Sequence, residues 1–230
     1  TLKTQMDYNE RRGSFVVGAY PDLVMNHLPP GIQVFSNTYP DVRIQLLARP
    51  YTPLLRLVRS GEIDLAFCAP PPLDDAALEF QELFKFDVVL MTPLGHPLLQ
   101  QTDVKLRDLS PWPLILSGPE SLTRQKVEQE LRNQGLTWDV VLALDDTESI
   151  KRYVETGMGV AVCADFTLHQ QDHDRLGVVR LDHIFDSSVI GVCTLKGKFL
   201  GQAVRNFIEI LSNEMRDYHA DLAELEHTKV

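Results

Sequence analysis

Short apolar runs alternate along this chain with longer stretches in which apolar residues recur every three or four positions. SFVVGAY (14–20) is rich in β-branched and aromatic residues and predicts a strand that ends before Pro21. Leu23, Val24, Leu28, Ile32, Val34 and Phe35 then fall at helical spacing, and YPD (39–41) ends that helix. Pro29-Pro30 marks a kink or a restart within it. VRIQLLA (42–48) alternates and predicts a second strand. Pro53 opens a helix with Leu54, Leu55, Leu57 and Val58 on one side, and Gly61 closes it in a left-handed cap. IDLAFCA (63–69) is apolar on both faces, as a strand buried in a parallel sheet must be. Residues 14–69 therefore read β-α-β-α-β, with single helices as crossovers.

The same grammar returns further on. APPPLDDAA (69–77) reads as a loop, FKFDVVLMTP (84–93) as a strand and DVKLRDL (103–109) as a turn with a short helix. WPLILS (112–117), WDVVLAL (138–144) and VAVCADF (160–166) predict strands. Between them lie a helix over 121–135, closed by Gly135, and one over 146–157, with Thr147 as its N-cap and Gly157 at its end. Residues 178–181 and 189–195 add strands, and 199–217 predicts a terminal helix. The expected fold class is α/β: two Rossmann-like lobes, 13–89 with 190–217 and 90–189, joined by two crossover strands at 87–93 and 189–195. Ligands of such sheets bind beyond the carboxyl ends of the strands, so an inter-lobe cleft is the expected site.

Bulk properties narrow the function. The formal net charge is −10, which repels nucleic acid, so DNA binding is not expected from these residues. No apolar run approaches the roughly 18 residues that span a bilayer, and TLKTQMDYNERRG at the start lacks the apolar stretch of a secretory signal. Cys68, Cys163 and Cys193 each sit in an apolar strand-like run, which predicts buried free thiols in a reducing, cytoplasmic setting. No metal is expected: His27 and His96 have no ligand-forming neighbours at suitable spacing. No cofactor and no catalytic residue is expected either, because GxSxG, HExxH, P-loop and GxGxxG patterns are all missing from the sequence. Asp145-Asp146 stands where a helix begins, a capping position before a catalytic one.

Six elements then become specific: the strand-glycine opening at Gly18, LP before a helix, F-x3-YP, G-x-[IL]-D-L-A, HPL, and V-x2-G-x-GV. In this order and spacing the chain, over residues 13–212, resembles the effector-binding domain of LysR-type transcriptional regulators. IKRYVETGMGVAV and LDHIFDSSVIGVCTLKGKFL resemble the sulfur-assimilation branch of that family. The resemblance implies a type II periplasmic-binding-protein-like fold, a small-molecule effector between the lobes, and no enzymatic activity. It implies a homodimer or homotetramer that controls transcription through its geometry, with helices 22–38 and 121–135 as contact surfaces. It also implies that DNA is reached only through a winged helix-turn-helix preceding this chain, that residues 1–12 end a linker helix, and that 218–230 form a polar tail. An extracytoplasmic solute-binding protein is the alternative with the same architecture; the lack of a signal segment and the three free cysteines weigh against it.

Four places carry the expected ligand contacts. Tyr20 and Asp22 stand at the first helix start, where relatives place Ser or Thr; Asp22 either caps the helix or faces ligand. Arg49, after the second strand, either meets a carboxylate or sulfonate or lies on the solvated rim. Ser117, Gly118 and Ser121 form a hydroxyl-and-glycine cradle at a helix N-terminus, with Ser117 the leading contact and Ser121 also a plausible N-cap. Ser149 and Arg152 lie on the next helix; Arg152 either holds an acid or pairs with Glu148 or Glu155. Together they point to a small organic or inorganic acid as effector. Trp112 and Trp138 read as packing residues.

Overall fold

A computed structural model describes the backbone of residues 13–227 and the side chains of residues 13–216. The expectations for 1–12, and for the side chains of 218–230, lie outside the described residues. The chain divides into two units. One holds the sequence up to Phe84 and from Val189 onward; the other is Lys85–Ser188.

The first unit is built on a five-stranded sheet in the order β2-β1-β3-β10-β4. These strands are β1 (Gly13–Ala19), β2 (Val42–Ala48), β3 (Leu65–Cys68), β4 (Leu78–Phe86) and β10 (Ser188–Leu195). β1 pairs in parallel with β2 and β3, as the βαβ pattern predicts. β10 returns antiparallel to β3, so the sheet is mixed and not purely parallel. β4 begins directly after the loop expected over 69–77, covers residues 78–83, which the sequence pattern leaves unassigned, and takes in the first residues of the strand expected over 84–93. Its Glu79, Gln81, Glu82 and Lys85 are the polar residues that an edge strand tolerates, and they mask its apolar alternation.

The helix expected over 22–38 is two pieces: a π-helical turn (Leu23–His27) and α1 (Leu28–Thr38), which restarts with Pro29-Pro30 in its first turn, where no N–H is needed. α2 (Tyr51–Ser60) buries Leu54, Leu55 and Val58 and ends at Gly61, whose φ of +76° is the predicted left-handed cap. The terminal helix α6 (Gln202–His227) runs further than its predicted end. Its Phe207 is fully buried and meets Phe15 and Phe35 edge-to-face, with ring centroids 5.0 and 5.1 Å apart.

The second unit repeats the plan in the order β7-β6-β8-β5-β9, with β5 (Val88–Pro93), β6 (Pro113–Ser117), β7 (Asp139–Leu144), β8 (Val160–Ala164) and β9 (Leu176–Arg180). The period of two divides its core. Leu114, Leu116, Val160 and Val162 face one side, against Val127 and Leu131 of α4 (Leu122–Asn133). Ile115, Ala161 and Cys163 face the other, against Ile150 and Val154 of α5 (Thr147–Glu155). The short helix α3 (Leu106–Leu109) follows the HPL turn. That turn has a structural role: His96 Nδ1 accepts the Leu98 N–H at 3.3 Å, Pro97 opens a 3-10 turn, and Leu98 is buried.

The glycine at the entry to β8 is equally explicable. A Cβ on Gly159 would lie 2.4 Å from the Pro113 carbonyl oxygen, because β8 approaches β6 there. Cys68, Cys163 and Cys193 are all free and buried. Among the described residues no helix is long and apolar enough to cross a membrane, and no group of three or more His, Cys, Asp or Glu is arranged to hold a metal ion.

Candidate functional site

In the first unit, Tyr20, Asp22 and Arg49 gather at the carboxyl ends of β1 and β2, joined by the Arg49 N–H to Ala19 C=O bond of 3.0 Å. The Tyr20 hydroxyl accepts the Ala69 N–H at 3.2 Å, at the end of β3. Burial, reinforced by the nearby Cys68 thiol, pushes this phenol far above its ordinary range, so it stays protonated and can donate. Tyr51 closes the same corner by donating to the Pro70 carbonyl, and its pKa is pushed up to about 12, chiefly by burial. Asp22 stands at the N-cap position of the π-helical turn, in helical backbone, and makes no side-chain capping bond. The Arg49 guanidinium folds back on its own strand end and donates to Ala48 C=O at 2.8 Å.

In the second unit, β6 and β7 run side by side, so the loops that follow them are neighbours. Gly118 N–H donates to Leu144 C=O at 3.1 Å and ties the loops together. This brings Ser117, Gly118 and Ser121 beside the start of α5 with Ser149. Ser121 is the N-cap of α4: its Oγ accepts the Arg124 N–H at 3.4 Å, and Gln125 N–H reaches its carbonyl. Ser117 C=O is held by Arg124 Nη1 at 2.9 Å, while its hydroxyl makes no hydrogen bond among the described residues. The cap of α5 is Asp146, not Thr147: Asp146 Oδ1 accepts the Ser149 N–H at 2.8 Å, and Thr147 is buried. A carboxylate holds two acceptor oxygens against one in a hydroxyl, and Asp146 sits one residue earlier, where the backbone is still extended. Asp145 leans over Gly118, its Oδ1 only 2.4 Å from where a Cβ on that glycine would lie.

Arg152 points elsewhere. Its guanidinium is 71% exposed and pairs with Glu155 at 3.1 Å on its own helix. The helix wheel gives the reason: Thr147, Ile150, Lys151 and Val154 form the buried stripe, leaving Arg152 on the solvent side. The stripe also holds a charged residue among its apolar positions. Lys151, at a core position, is 1% exposed; its Nζ lies 2.7 Å from Asp172 and 2.6 Å from Glu148. Asp172 in turn accepts His169 N–H at 2.9 Å and pairs with Arg175 at 2.6 Å. Burial works against this carboxylate, but Lys151 and the His169 amide outweigh it and hold its pKa below the ordinary value. Burial, with Lys151 beside it, pushes the His169 imidazole down.

Asp165 is a second group that motif reading misses. Burial pushes it up to about 6, and the neighbouring Asp87 carboxylate adds to this. Away from all these residues, a cavity of about 680 Å³ lies within the first unit, lined by Phe80, Val192, Leu200, Arg205, Ile208 and Ser212 among others.

Two mixed five-stranded sheets, each with helix N-termini at the carboxyl ends of its parallel strands, define a two-unit α/β fold. The chain belongs to the LysR substrate binding domain family, which it matches over residues 9–216. It is 29% identical over 201 residues to the HTH-type transcriptional regulator CysB of Burkholderia cenocepacia, covering 87% of this chain and 64% of that protein. The chain thus spans about two thirds of the length of this relative. Among solved structures it is similar to the cofactor-binding domain of the Cbl transcriptional regulator, with a TM-score of 0.78 and 25% identity over 87% of this chain and 88% of that one. The fold is shared as well by the CcmR regulatory domain of Synechocystis PCC6803, solved in complex with 2-PG, with a TM-score of 0.80 and 21% identity over 89% of this chain and 98% of that one. The branch suggested by IKRYVETGMGVAV is the one that contains the CysB and Cbl regulators.

Proposed function

We propose that this chain is the effector-sensing domain of a LysR-type transcriptional regulator, and that its effector is a small acid bound at the carboxyl ends of β6 and β7. The observation that carries the reading is the unengaged Ser117 hydroxyl, set beside the first turn of α4. The first N–H groups of a helix have no intrahelical partner, and with the helix dipole they favour an anion. Here the capping hydroxyl of Ser121 takes only the Arg124 N–H. Asp145 adds a selective element: beside Gly118 it can accept a hydrogen bond from an acid that also carries a donor, which raises the affinity of such an acid above that of a simple oxyanion. Gly118, Ser121 and Ser149 complete the second-unit set, while Tyr20, Asp22 and Arg49 are the corresponding group of the first unit.

By linkage, such an effector acts only if it binds one conformation better than another, and that difference is what would reach a DNA-binding domain preceding this chain. The −10 charge leaves DNA contact to that domain. Self-association through the 22–38 and 121–135 helices fits the exposed apolar side chains of Met25 and Val34 on the first and Leu122 on the second. Light scattering at micromolar concentration is expected to show a dimer or tetramer, and a strict monomer would count against it.

Titration calorimetry with a panel of small acids, including sulfate and amino or hydroxy acids, tests the site. Ser117→Ala is expected to weaken the best-binding acid by about tenfold, as befits a charge-assisted hydrogen bond. Arg152→Ala is expected to leave it within about threefold, because that guanidinium is already committed to Glu155. Unchanged affinity in Ser117→Ala would remove this residue, and the reading built on it, from the site.

A further inference from the structure

Lys151 occupies a core position of α5 and is almost wholly buried, yet it is charged and carries none of the contacts expected of the effector site. A buried ion pair is a poor way to gain stability, since desolvation offsets most of the attraction. Its use lies in fixing one arrangement of the elements it joins.

The network it belongs to has a direction. At its exposed end is Glu148, in the first turn of α5, beside Ser149. From Lys151 it passes to Asp172 at 2.7 Å, then to Arg175 at 2.6 Å, and back to Glu155 in the last turn of α5 at 3.0 Å. The middle of α5, at Lys151, and its last turn, at Glu155, are therefore bound to the 3-10 turn Gln170–Asp174 and to Arg175 just after it, while Glu148 connects its first turn to Lys151. The 3-10 turn leads through Arg175 into β9, which pairs with β5 from Leu176 opposite Pro93 to Arg180 opposite Val89. Arg180 then donates to Asp87 at 2.6 Å, the residue just before β5. The other Asp87 oxygen accepts the Ser187 hydroxyl at 2.6 Å, and the Asp87 carbonyl accepts Asp165 N–H at 2.9 Å. Asp87 and Ser187 stand next to the two places where the chain passes between units, at 84–85 and 188–189.

We propose that Lys151 is a positioning residue: its buried pair with Asp172 ties the effector end of α5 to β9 and, through the Arg180–Asp87 pair, to the point where the chain enters the second unit. The link is a chain of discrete ion pairs and one strand pairing, and each step has a definite alternative, the broken pair. The proposal rests on the effector reading above for the event that sets it in motion.

Amide NMR on this chain tests both halves separately. Three variants are compared with the unaltered chain: Lys151→Met, Lys151→Arg and the charge-free double variant Lys151→Met/Asp172→Leu, which carries the measurement if Lys151→Met does not fold. In the ligand-free protein, hydrogen exchange at 147–150 and at 86–88 is expected to rise at least about tenfold in the Met variants. Lys151→Arg should keep most of the protection. A core control, Leu131→Ala on α4, should not raise these two segments selectively even when its melting temperature falls as far. With sulfate as probe, the unaltered chain should show shifts at 117–123 and 147–149 and also at 86–88. The double variant should keep the former and lose the latter, even with its melting temperature restored. Exchange at 147–150 and 86–88 no higher than in the control, or sulfate shifts at 86–88 undiminished in the double variant, would overturn the proposal. No sulfate shift anywhere in the unaltered chain would instead overturn the anion reading of the site, and the ligand-free exchange would still decide the role of Lys151.

Discussion

Asp172→Leu is expected to destabilise the second unit by about 3–5 kcal/mol, a loss characteristic of a buried pair that keeps only one partner. Lys151 would retain Glu148, but that carboxylate is 38% exposed and shares its charge with solvent. Arg175 would keep only Glu155, and the His169 N–H would lose its acceptor, at the same time. Adding Lys151→Met to Asp172→Leu should recover most of the loss, because two apolar side chains of similar size then fill the site with no charge to desolvate. Urea unfolding of the two single variants and the double variant measures this, and a double variant no more stable than Asp172→Leu would contradict it. The pH dependence follows from the lowered pKa of Asp172. Its carboxylate is ionised in the native state below the 3.8 of the free group, so its contribution is present above about pH 4 and lost as pH falls through the lower native value. The acid limb of the stability curve should therefore be shallower in the double variant.

Phe207→Ala carries an effect of similar size in the first unit, about 3–5 kcal/mol, the usual cost of removing a fully buried aromatic. Three rings lean on Phe207: Phe15 at 5.0 Å, Phe35 at 5.1 Å and Phe67 at 6.4 Å, all edge-to-face. They come from β1, α1 and β3, so the ring of α6 is the common wall of the sheet and its first helix. A closely packed core collapses only partly around such a gap. The expected result is a lower denaturant midpoint with the slope unchanged. A loss under about 1 kcal/mol would mean that the neighbouring rings move in to fill the space.

Much of this fold is legible in local sequence. The alternation of Leu114, Ile115 and Leu116 tells which helix each side chain will meet, and the left-handed glycines at 61, 135 and 157 stand where helices were expected to end. What was not legible is long-range pairing. Nothing within IGVCTL says that it lies antiparallel to LAFC, some 125 residues earlier, and nothing in LEFQELF overrides its charges until a sheet edge accepts them. At the site, hydroxyls and a glycine at a helix start can be read from residue type. The partner of Arg152 cannot, because Glu148 and Glu155 both lie within reach of a helix turn, and only packing turns the residue outward to Glu155. Lys151 is the instructive case: its place on the Thr147, Ile150, Val154 stripe was visible, but a charge at a core position is informative only once Asp172 is known to be there.

The proposed site places an acid group at the start of α4 beside Ser117. Crystals of this chain soaked in selenate, an anion with a strong anomalous signal, test it most directly. An anomalous peak is expected within hydrogen-bond distance of the Ser117 hydroxyl and the first N–H groups of α4, absent in Ser117→Ala crystals. A peak only at surface lysines, or one at the same place and height after Ser117→Ala, would contradict it.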